Sequence, residues 1–386
     1  MKVLALSEVF PPAVGGSGAW MEQLYRRWPQ GSVVVATDQR ESLTDFPHPV
    51  EQVPLRFETW GSLTLPSAMR YAHAIGRVRK QVRAHHIDLI HANRCLPEGL
   101  IAKRIGLPYL CTVHGEELNA MGKSRELKWL ARRVFAGAQE LIATSHNTAQ
   151  LLIRDWAVET SRLRVVQPGV DVARFYPGTA CEIAATRQAM GWTGRRVILT
   201  ASRLQRRKGQ DMMIRALPAI RQSVGDEVLY AIVGHGEDKD YLQTLAHQAD
   251  VRDHVQFMEP LPIQQLAPAY QAADLFVLSN RNVEGDFEGF GIVLVESQAC
   301  GVPVVAGQSG GTRETLIENV TGQTVNCDEP TALAHVVSDL LMDDSRRMNM
   351  AVQAHQHAQQ HFDWNTLAQT HRDALCPPSL TPRQAA

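Results

Sequence analysis

The sequence alternates, twice over, between short apolar runs rich in β-branched residues and longer amphipathic stretches. Runs of this kind predict buried strands, and the spacing between them is helical. Such alternation is typical of parallel α/β architecture, in which helices cover both faces of each sheet. The predicted strands are 3–6, 33–37, 89–92, 109–113, 141–144 and 164–166 in the first series, and 197–201, 229–233, 255–258, 275–278, 303–306 and 322–325 in the second.

Two such series predict two doubly wound, Rossmann-like domains, because 386 residues exceed one ordinary core. The segment Gln167-Pro168-Gly169-Val170-Asp171 interrupts the pattern and predicts a crossing between domains 1–170 and 171–361. Parallel sheets bind ligands at the carboxyl ends of their strands, so we expect a cleft that the two domains share. A two-domain oxidoreductase would show similar alternation, and the pattern alone does not decide the function.

Composition indicates a globular, water-soluble chain, with 44% hydrophobic residues, 20% charged residues and a net charge of −1. The six cysteines form no close pair and no metal-type spacing, which favours reduced thiols in a cytosol. The first residues resemble a signal peptide only briefly, since Glu8 and Pro11-Pro12 interrupt the apolar run. We therefore expect a cytoplasmic protein that is soluble or peripheral on the inner face of a membrane.

Charge is divided unevenly along the chain. Residues 1–178 hold 22 Lys and Arg against 16 Asp and Glu, whereas the remainder holds 17 against 24. A basic first half suits an anionic acceptor or membrane surface, although unselected asymmetry explains it equally well. The basic, aromatic stretch Lys123–Phe135 has the same two interpretations, a membrane-surface helix or an ordinary packed helix. Lys and Arg are not concentrated with stacking aromatics, so we expect no nucleic-acid partner.

The segment from Glu288 to Glu296 combines two carboxylates with a glycine-rich loop that opens a helix. Gly289 and Gly291 would let backbone amides approach a ligand, and a helix start favours an anion. The alternative is that both glutamates are ordinary helix-surface charges. Glu296 lies within an apolar run, which that alternative explains poorly.

A basic turn, residues 202–209, follows the predicted strand 197–201 directly. Cations at the carboxyl end of a strand suit a diphosphate: Arg203 as a bidentate fork and Lys208 as a point charge. Arg206 and Arg207 fit a solvated basic turn instead.

Near the N-terminus, residues 11–18 form a glycine-rich loop that opens a predicted helix, so that amides near Gly15 and Gly16 are suited to a pyrophosphate or an acceptor. The spacing is not GxGxxG, and no acidic residue is placed for an NAD ribose, which argues against a dinucleotide enzyme. His114 ends the predicted strand 109–113, where a side chain would point into the cleft. A lone histidine is nevertheless more often structural.

For three other motifs, a structural interpretation is preferred to a functional one. Asp238-Lys239-Asp240 is a DxD metal signature, but acidic residues also favour a helix start. Residues 307–311 match the GxSxG nucleophile motif, yet no suitably placed acid and histidine follow, so a second glycine-rich loop at the cleft is preferred. His357 and His361 lie one helical turn apart, as a metal pair would, on a helix whose composition favours a solvated face.

As an ordered set, these segments resemble glycosyltransferase family 4, whose members are retaining enzymes with the GT-B fold. The resemblance covers nearly the whole chain. It rests on the glycine loop at Gly15-Gly16, His114, the crossing at 168–171, Arg203…Lys208-Gly209, Gly234-His235-Gly236, Glu288-x7-Glu296 and the final Phe362-Asp363-Trp364 helix. The resemblance implies two Rossmann-like domains facing each other across a cleft. It also implies a closing helix, 362–376, that packs back onto the first domain, before a loose tail at 377–386.

The resemblance also implies roles for individual residues. Glu296 would bind the ribose, Arg203 and Lys208 the diphosphate, and Glu288 with the neighbouring amides the transferred sugar. His114 would contact that sugar near its anomeric centre. The implied catalytic residues are His114, Arg203, Lys208 and Glu288; the implied donor-binding residues are Gly15, Gly16, Ser202, Gly234, Met258, Gly289, Phe290, Gly291, Ile292 and Glu296.

The activity implied is metal-independent hexose transfer, with retention and without a cofactor, from a nucleotide-diphosphate sugar to a lipid-linked or polysaccharide acceptor. The insertion 282–287 before Glu288 looks most like the mannosyltransferase branch that uses GDP-mannose. UDP-glucose, UDP-galactose and UDP-N-acetylglucosamine remain open as donors. A GT-B nucleotide-sugar epimerase, which would turn over donor without acceptor, and a catalytically silent binding subunit are further hypotheses.

Overall fold

The computed structural model of this chain describes residues 1–12, 16–39 and 45–375. Contacts between residues divide the chain into two units, one formed by Met1–Pro168 with the segment from Trp364 onward, and one by Gly169–Asp363. Gly15 and the expected tail at 377–386 lie outside the described residues.

The first unit contains a seven-stranded parallel sheet in the order β3-β2-β1-β4-β5-β6-β7. Its strands are β1 Val3–Ser7, β2 Val33–Thr37, β3 Val50–Gln52, β4 Leu89–Ala92, β5 Tyr109–Val113, β6 Glu140–Ala143 and β7 Leu163–Val165. Its helices are α1 Gly16–Arg26, α2 Leu65–His85, α3 Leu100–Ile105, α4 Glu116–Lys123, α5 Arg125–Gly137 and α6 His146–Trp156.

The second unit contains a six-stranded parallel sheet in the order β10-β9-β8-β11-β12-β13. Its helices are α7 Ala180–Met190, α8 Gln210–Val224, α9 Lys239–Gln248, α10 Ile263–Gln271, α11 Ile292–Ala299, α12 Pro330–Met342 and α13 Asp344–Phe362. Its strands are β8 Arg196–Ala201, β9 Val228–Val233, β10 Val255–Met258, β11 Leu275–Leu278, β12 Val304–Gly307 and β13 Gly322–Val325.

Each sheet has its topological switch point beside its central strand. Chain order reverses between β1 and β4 in the first sheet and between β8 and β11 in the second. The central strands are apolar and buried because helices cover both faces, so their side chains contribute to the core. Ligand-binding groups are therefore expected after the last residue of each strand, at the carboxyl edge of the sheet.

The chain passes twice between the units at one place. The Val170 amide donates to the Phe362 carbonyl at 2.7 Å, and Val170 forms a parallel bridge with Asp363, so that both crossing segments lie side by side in the second unit. The last helix, α14 Trp364–Leu375, then packs against α1, where Trp364 is buried and Asn365 accepts a hydrogen bond from Arg27 at 3.0 Å.

The predicted α/β class is confirmed, and a strand is present at every predicted position. The sequence predicted helices at 19–28, 67–85, 97–105, 126–136, 211–222, 240–249, 263–272, 329–342 and 345–361, besides the helix that follows Gly291 and the closing helix. The strand β3 and the helices α4, α6 and α7 were not predicted. No helix within the described ranges has both the length and the apolar character that crossing a bilayer requires.

Candidate functional site

In the second unit, the predicted site residues all follow the carboxyl ends of neighbouring strands. The basic turn follows β8, Gly234 follows β9, Met258 ends β10, and the acidic glycine loop lies between β11 and α11. The Gly234 amide donates to the Met258 carbonyl at 3.0 Å. A side chain at Gly234 would begin 2.0 Å from the Ser202 carbonyl oxygen, at a backbone φ of 147°, so this junction requires glycine. Ser202, Gly234 and Met258 are thus brought together.

The Glu288 carboxylate lies among cations. Its Oε2 accepts a hydrogen bond from Arg207 at 3.1 Å and pairs with the Lys208 ammonium. The side chain is 11% exposed, so the three charges are largely removed from water. Glu288 and Lys208 were predicted to lie in one site, and they are in direct contact.

The prediction that Arg207 belongs to a solvated basic turn is wrong. It is 6% exposed and bridges Glu288 and Asp286, the latter at 3.3 Å. Its neighbour Arg206 is more exposed and pairs with Asp211 and Asp238 at 3.7 and 3.5 Å. The difference arises because the short 3₁₀ turn at Arg206–Lys208 directs successive side chains to different sides.

Arg203 differs from the other cations of the turn. It is exposed, and it makes no ion pair within the described part of the chain. An arginine held at a strand end without a carboxylate partner keeps its guanidinium available for a bidentate anion.

Glu296 lies on the second turn of α11, and its carboxylate is oriented by a residue that sequence reasoning missed. The Tyr270 hydroxyl donates to Glu296 Oε2 at 3.0 Å. Burial raises the pKa of Glu296 to about 7, although the Tyr270 hydrogen bond and the Arg174 charge oppose that rise. Tyr270 is fully buried, and its ring packs on Phe276 with 5.4 Å between centroids.

The second glycine-rich loop, Gly307–Gly311, lies against the Glu288 segment. The Gly311 amide donates to the Glu288 carbonyl at 3.0 Å, and a side chain at Gly310 would begin 1.9 Å from that carbonyl oxygen. Asn280, which follows β11, donates through Nδ2 to the Ser309 carbonyl at 2.7 Å. The loop therefore supports the backbone of the acidic glycine segment.

The remaining motifs have structural partners. Asp238 of the DxD sequence pairs with Arg206, as described above. His361 is exposed, but the solvated-face interpretation is wrong for His357, which is half-buried beside Phe362 with 5.4 Å between ring centroids. This burial lowers the pKa of His357 to about 4.

In the first unit, His114 directly follows β5. Its amide donates to Glu117 Oε1 at 2.9 Å, and its Nε2 lies 2.9 Å from the Asn93 carbonyl oxygen. Burial, followed by the positive charge of Arg94, lowers the pKa of His114 to about 4. The imidazole is therefore neutral near pH 7.

The described end of the N-terminal glycine loop is hydrogen-bonded to residues that lie beside His114. Gly16 begins α1, and the next residue, Ser17, accepts hydrogen bonds from Asn93 at its carbonyl and from Arg94 at its hydroxyl, at 3.1 and 3.2 Å. The first turn of α1 and the His114 segment thus share Asn93. Sequence reasoning missed this residue, although a polar residue directly after a buried strand is the signal that identifies it.

Two buried carboxyl groups lie near Arg94. Glu98 and Glu117 are 0% and 4% exposed, and each has one oxygen without a hydrogen-bond partner among the described residues. Burial raises the pKa of Glu98 to about 7, and the Arg94 charge counteracts this rise. Arg94 therefore serves as the counter-charge of this acidic group.

Comparison with known proteins identifies the class that this fold and these sites define. Residues 14–174 match the family model described as Glycosyltransferase Family 4, and residues 183–357 match the model described as Glycosyl transferases group 1. The chain therefore belongs to glycosyltransferase family 4 and is a glycosyltransferase.

Its relatives include two bacterial mannosyltransferases. A GDP-mannose-dependent alpha-(1-6)-phosphatidylinositol monomannoside mannosyltransferase of Mycolicibacterium smegmatis is 34% identical over 75% of this chain and 76% of that protein. The GDP-mannose-dependent monoacylated alpha-(1-6)-phosphatidylinositol monomannoside mannosyltransferase of Corynebacterium glutamicum is 30% identical over 95% of this chain and 96% of that protein. A D-inositol 3-phosphate glycosyltransferase of Salinispora tropica is 31% identical over 91% and 78%.

Solved structures show the same fold. Anabaena HepE in complex with UDP-glucose superposes with a TM-score of 0.83 at 24% identity, covering 97% of this chain and 99% of that chain. WaaG, a glycosyltransferase of lipopolysaccharide biosynthesis, superposes with a TM-score of 0.76 at 21% identity, covering 97% and 100%. The expected GT-B class, two Rossmann-like domains in one chain, is thereby confirmed.

Proposed function

We propose that this protein transfers mannose from GDP-mannose to an inositol-containing glycolipid, with retention of configuration and without a catalytic metal. The donor and the acceptor class are inferred from one observation above all, the similarity to a GDP-mannose-dependent mannosyltransferase of phosphatidylinositol monomannoside across 95% of the chain. The geometry of the second unit supports the same chemistry, because cations and a glycine-rich helix start converge where a sugar diphosphate would need them.

Different residues of the second unit would bind different parts of the donor. Arg203, which is exposed and lacks an ion-pair partner among the described residues, and Lys208 would neutralise the diphosphate as it leaves. Glu288 would hold sugar hydroxyls with the amides of residues 289–291, and Glu296 would accept from the ribose. Retention then requires positioning and charge stabilisation rather than a protein nucleophile. The cations supply the charge that a metal supplies in other transferases.

Ligand-induced stabilisation tests the donor assignment. A ligand that binds only the folded state raises its stability in proportion to the logarithm of concentration over Kd. We expect GDP and GDP-mannose to raise the Tm more than UDP or ADP do, equally with and without EDTA. Arg203→Ala should lose this shift, whereas Arg252→Ala, an exposed arginine on the 3₁₀ turn before β10, should retain it.

Other outcomes separate the alternatives. A UDP-only response would discard mannose transfer from GDP-mannose while keeping the enzyme class. Consumption of donor without any acceptor, giving a second nucleotide sugar, would indicate an epimerase. Nucleotide binding without turnover of any kind would indicate a silent binding subunit.

A lipid acceptor requires contact with a membrane, and the first unit has a surface suited to it. Leu63, Leu65, Met69 and Trp129 are exposed by 75%, 75%, 65% and 49%. Leu65 and Met69 lie one turn apart on α2, and Trp129 lies one turn after Glu126 on α5. Glu126 accepts hydrogen bonds from the amides of Ser62 and Leu63, at 2.5 and 2.9 Å, and so ties the segment before α2 to α5. We call these four side chains the apolar patch.

The charges around the apolar patch favour an anionic membrane. Helix α2 contains five Lys and Arg residues and no acidic residue, and α5 contains four Arg and Lys residues against Glu126 alone. Apolar side chains surrounded by cations are typical of peripheral contact with anionic lipid.

Vesicle sedimentation tests this contact. We expect the protein to sediment with phosphatidylglycerol vesicles at low salt and not with phosphatidylcholine vesicles. Replacing Leu63 and Leu65 by aspartate should abolish sedimentation, whereas Met348→Asp, at an equally exposed apolar residue of the second unit, should not. Equal sedimentation of both variants would contradict the assignment of this surface.

A further inference from the structure

Asn93 joins three chain segments at the carboxyl edge of the first sheet. Its Nδ2 donates to the hydroxyl of Ser7, which ends β1, at 2.8 Å, and to the carbonyl of Ser17 in the first turn of α1 at 3.1 Å. Its own oxygens face His114, whose Nε2 lies 2.9 Å from the Asn93 carbonyl oxygen and 3.1 Å from Oδ1. The residue is 1% exposed, so these bonds are made away from water.

The contacts determine which ring nitrogen of His114 carries the proton. A backbone carbonyl oxygen only accepts hydrogen bonds, so Nε2 must be the donor. The side chain agrees, because Nδ2 of Asn93 is already committed as a donor to two oxygens and leaves Oδ1 as an acceptor. A neutral imidazole has one N–H, and therefore Nδ1 of His114 keeps its lone pair.

The Nδ1 atom of His114 is available to accept a hydrogen bond from a ligand. It has no hydrogen-bond partner among the residues that the structure describes, whereas both nitrogens of the buried His91 nearby are bonded, to Tyr25 at 2.6 Å and to Thr112 at 2.7 Å. The Trp20 and His114 rings pack nearly perpendicular to each other, with 5.8 Å between centroids, and this contact helps to hold the imidazole in place.

We propose that Asn93 is a positioning residue that holds His114 as the neutral Nε2–H tautomer, so that Nδ1 accepts a hydrogen bond from a hydroxyl of a bound sugar. This inference rests on the proposed function for the identity of the ligand. It makes His114 a hydrogen-bond acceptor in the reaction and not a proton donor.

Nuclear magnetic resonance tests the tautomer without any substrate. In the full chain labelled with ¹⁵N-histidine, long-range ¹H–¹⁵N correlations distinguish the two tautomers, and His114→Gln assigns the resonance. We expect a protonated Nε2 and an unprotonated Nδ1 at pH 7. The opposite tautomer, a mixture of the two, or a charged ring at pH 7 would overturn the proposal. Because the measurement needs no ligand, failure of the mannosyltransferase assignment leaves its result unchanged.

A substitution tests whether Asn93 controls the protonation. Asn93→Asp places a carboxylate against Nε2, which favours the charged ring and puts a proton on Nδ1. We expect kcat/KM of this variant to fall about tenfold for each pH unit below the raised pKa of His114. Relative to wild type, the loss should grow as the pH is lowered from 8 to 6. The control is Thr112→Val, which removes the hydroxyl bonded to His91 but leaves His114 untouched, and it should keep the wild-type pH profile. A pH profile of kcat/KM for Asn93→Asp that runs parallel to the wild-type profile would contradict the proposal.

A second pair of variants applies if Asn93→Asp does not fold. The amide of asparagine can place its oxygen near the position of Nδ1, whereas that of glutamine reaches the position of Nε2. We expect His114→Asn to retain about tenfold more kcat/KM than His114→Gln, the loss of one hydrogen bond to a substrate. Equal loss in both variants would overturn the role of Nδ1.

Discussion

The two units have similar sheets but different chemistry at corresponding places. Each has a buried asparagine after the strand that lies across the switch point from its first strand, Asn93 after β4 and Asn280 after β11, and each asparagine ties neighbouring loops together. Around Asn280 the side chains are ionic, as in the Arg207–Glu288–Lys208 group. Around Asn93 they include neutral histidines and hydroxyls, with buried carboxyl groups balanced by Arg94.

This difference indicates a division of labour. Ionic groups interact strongly with a charged leaving group, which suits the diphosphate of a sugar donor. Neutral hydrogen-bonding groups orient hydroxyls and cost less to bury than unpaired charges do. The comparison predicts that charge-removing substitutions have large effects on catalysis in the second unit, and that the first unit is sensitive to hydrogen-bond geometry.

The largest expected effect is that of Lys208→Ala. Removing the ammonium leaves the leaving diphosphate with one cation fewer in the transition state, and we expect kcat to fall about 100-fold or more. Steady-state kinetics at saturating donor measure this loss. Lys239→Ala is the control, since Lys239 is paired with Glu259 on the surface of the same unit. A loss below about threefold at Lys208 would contradict the comparison, because removing a group that stabilises the charge of a transition state typically costs about 3 kcal/mol.

The next largest effect concerns stability and compares two adjacent arginines. Arg207→Ala breaks a buried ion pair and should lower the free energy of unfolding by about 3 kcal/mol, because the Glu288 and Asp286 carboxylates lose a shared partner. Arg206→Ala breaks partly exposed pairs and should cost about 1 kcal/mol or less. Urea denaturation with an unchanged m-value checks both. Equal effects would show that Arg207 is solvated after all.

The smallest effect is a pH dependence in the second unit. Only an ionised Glu296 can accept bonds from both ribose hydroxyls, and its pKa is raised to about 7, so GDP affinity should rise as the pH increases from 6 to 8. Tyr270→Phe removes a hydrogen bond that lowers this pKa, and should move the rise to higher pH. Calorimetric titration across this range measures both curves. A wild-type affinity independent of pH would show that Glu296 is ionised throughout.

The contribution of Glu296 to the stability of the folded state should change with pH in the opposite direction to GDP affinity. A carboxyl whose pKa is raised on folding binds more protons in the native state, so its contribution to stability is lost as the pH rises from about 4.5 towards 7. Glu296→Gln lacks this linkage. The variant should therefore gain stability relative to wild type as the pH rises through that window, which thermal unfolding at several pH values would detect.

Much of the second site could be predicted from the sequence because its residues cluster in short segments. Glu288, Lys208 and the glycine loop lie next to strand ends that their apolar runs identify. The residues that were missed act through distant partners: Arg207 contacts a glutamate 81 residues away, and Tyr270 orients one 26 residues away. No local pattern contains such a pairing.

The missed elements have a related cause. Helix α7 buries none of its residues, so its sequence carries no apolar periodicity. Its capping box, in which Thr179 and Glu182 bond reciprocally, was nevertheless readable from the sequence. Strand β3 has three residues, none of them buried, and lies at the edge of its sheet.

The most direct test of the central claim is a transfer assay with purified protein, GDP-[¹⁴C]mannose and phosphatidylinositol monomannoside in anionic vesicles, with EDTA present throughout. We expect radiolabelled glycolipid carrying an α-linked mannose, the configuration of the donor, with no product from UDP-glucose and a large loss in Lys208→Ala. A β-linked product, or transfer that occurs only in a parallel reaction without EDTA, would contradict the proposed mechanism. Transfer from UDP-glucose alone would contradict the proposed donor.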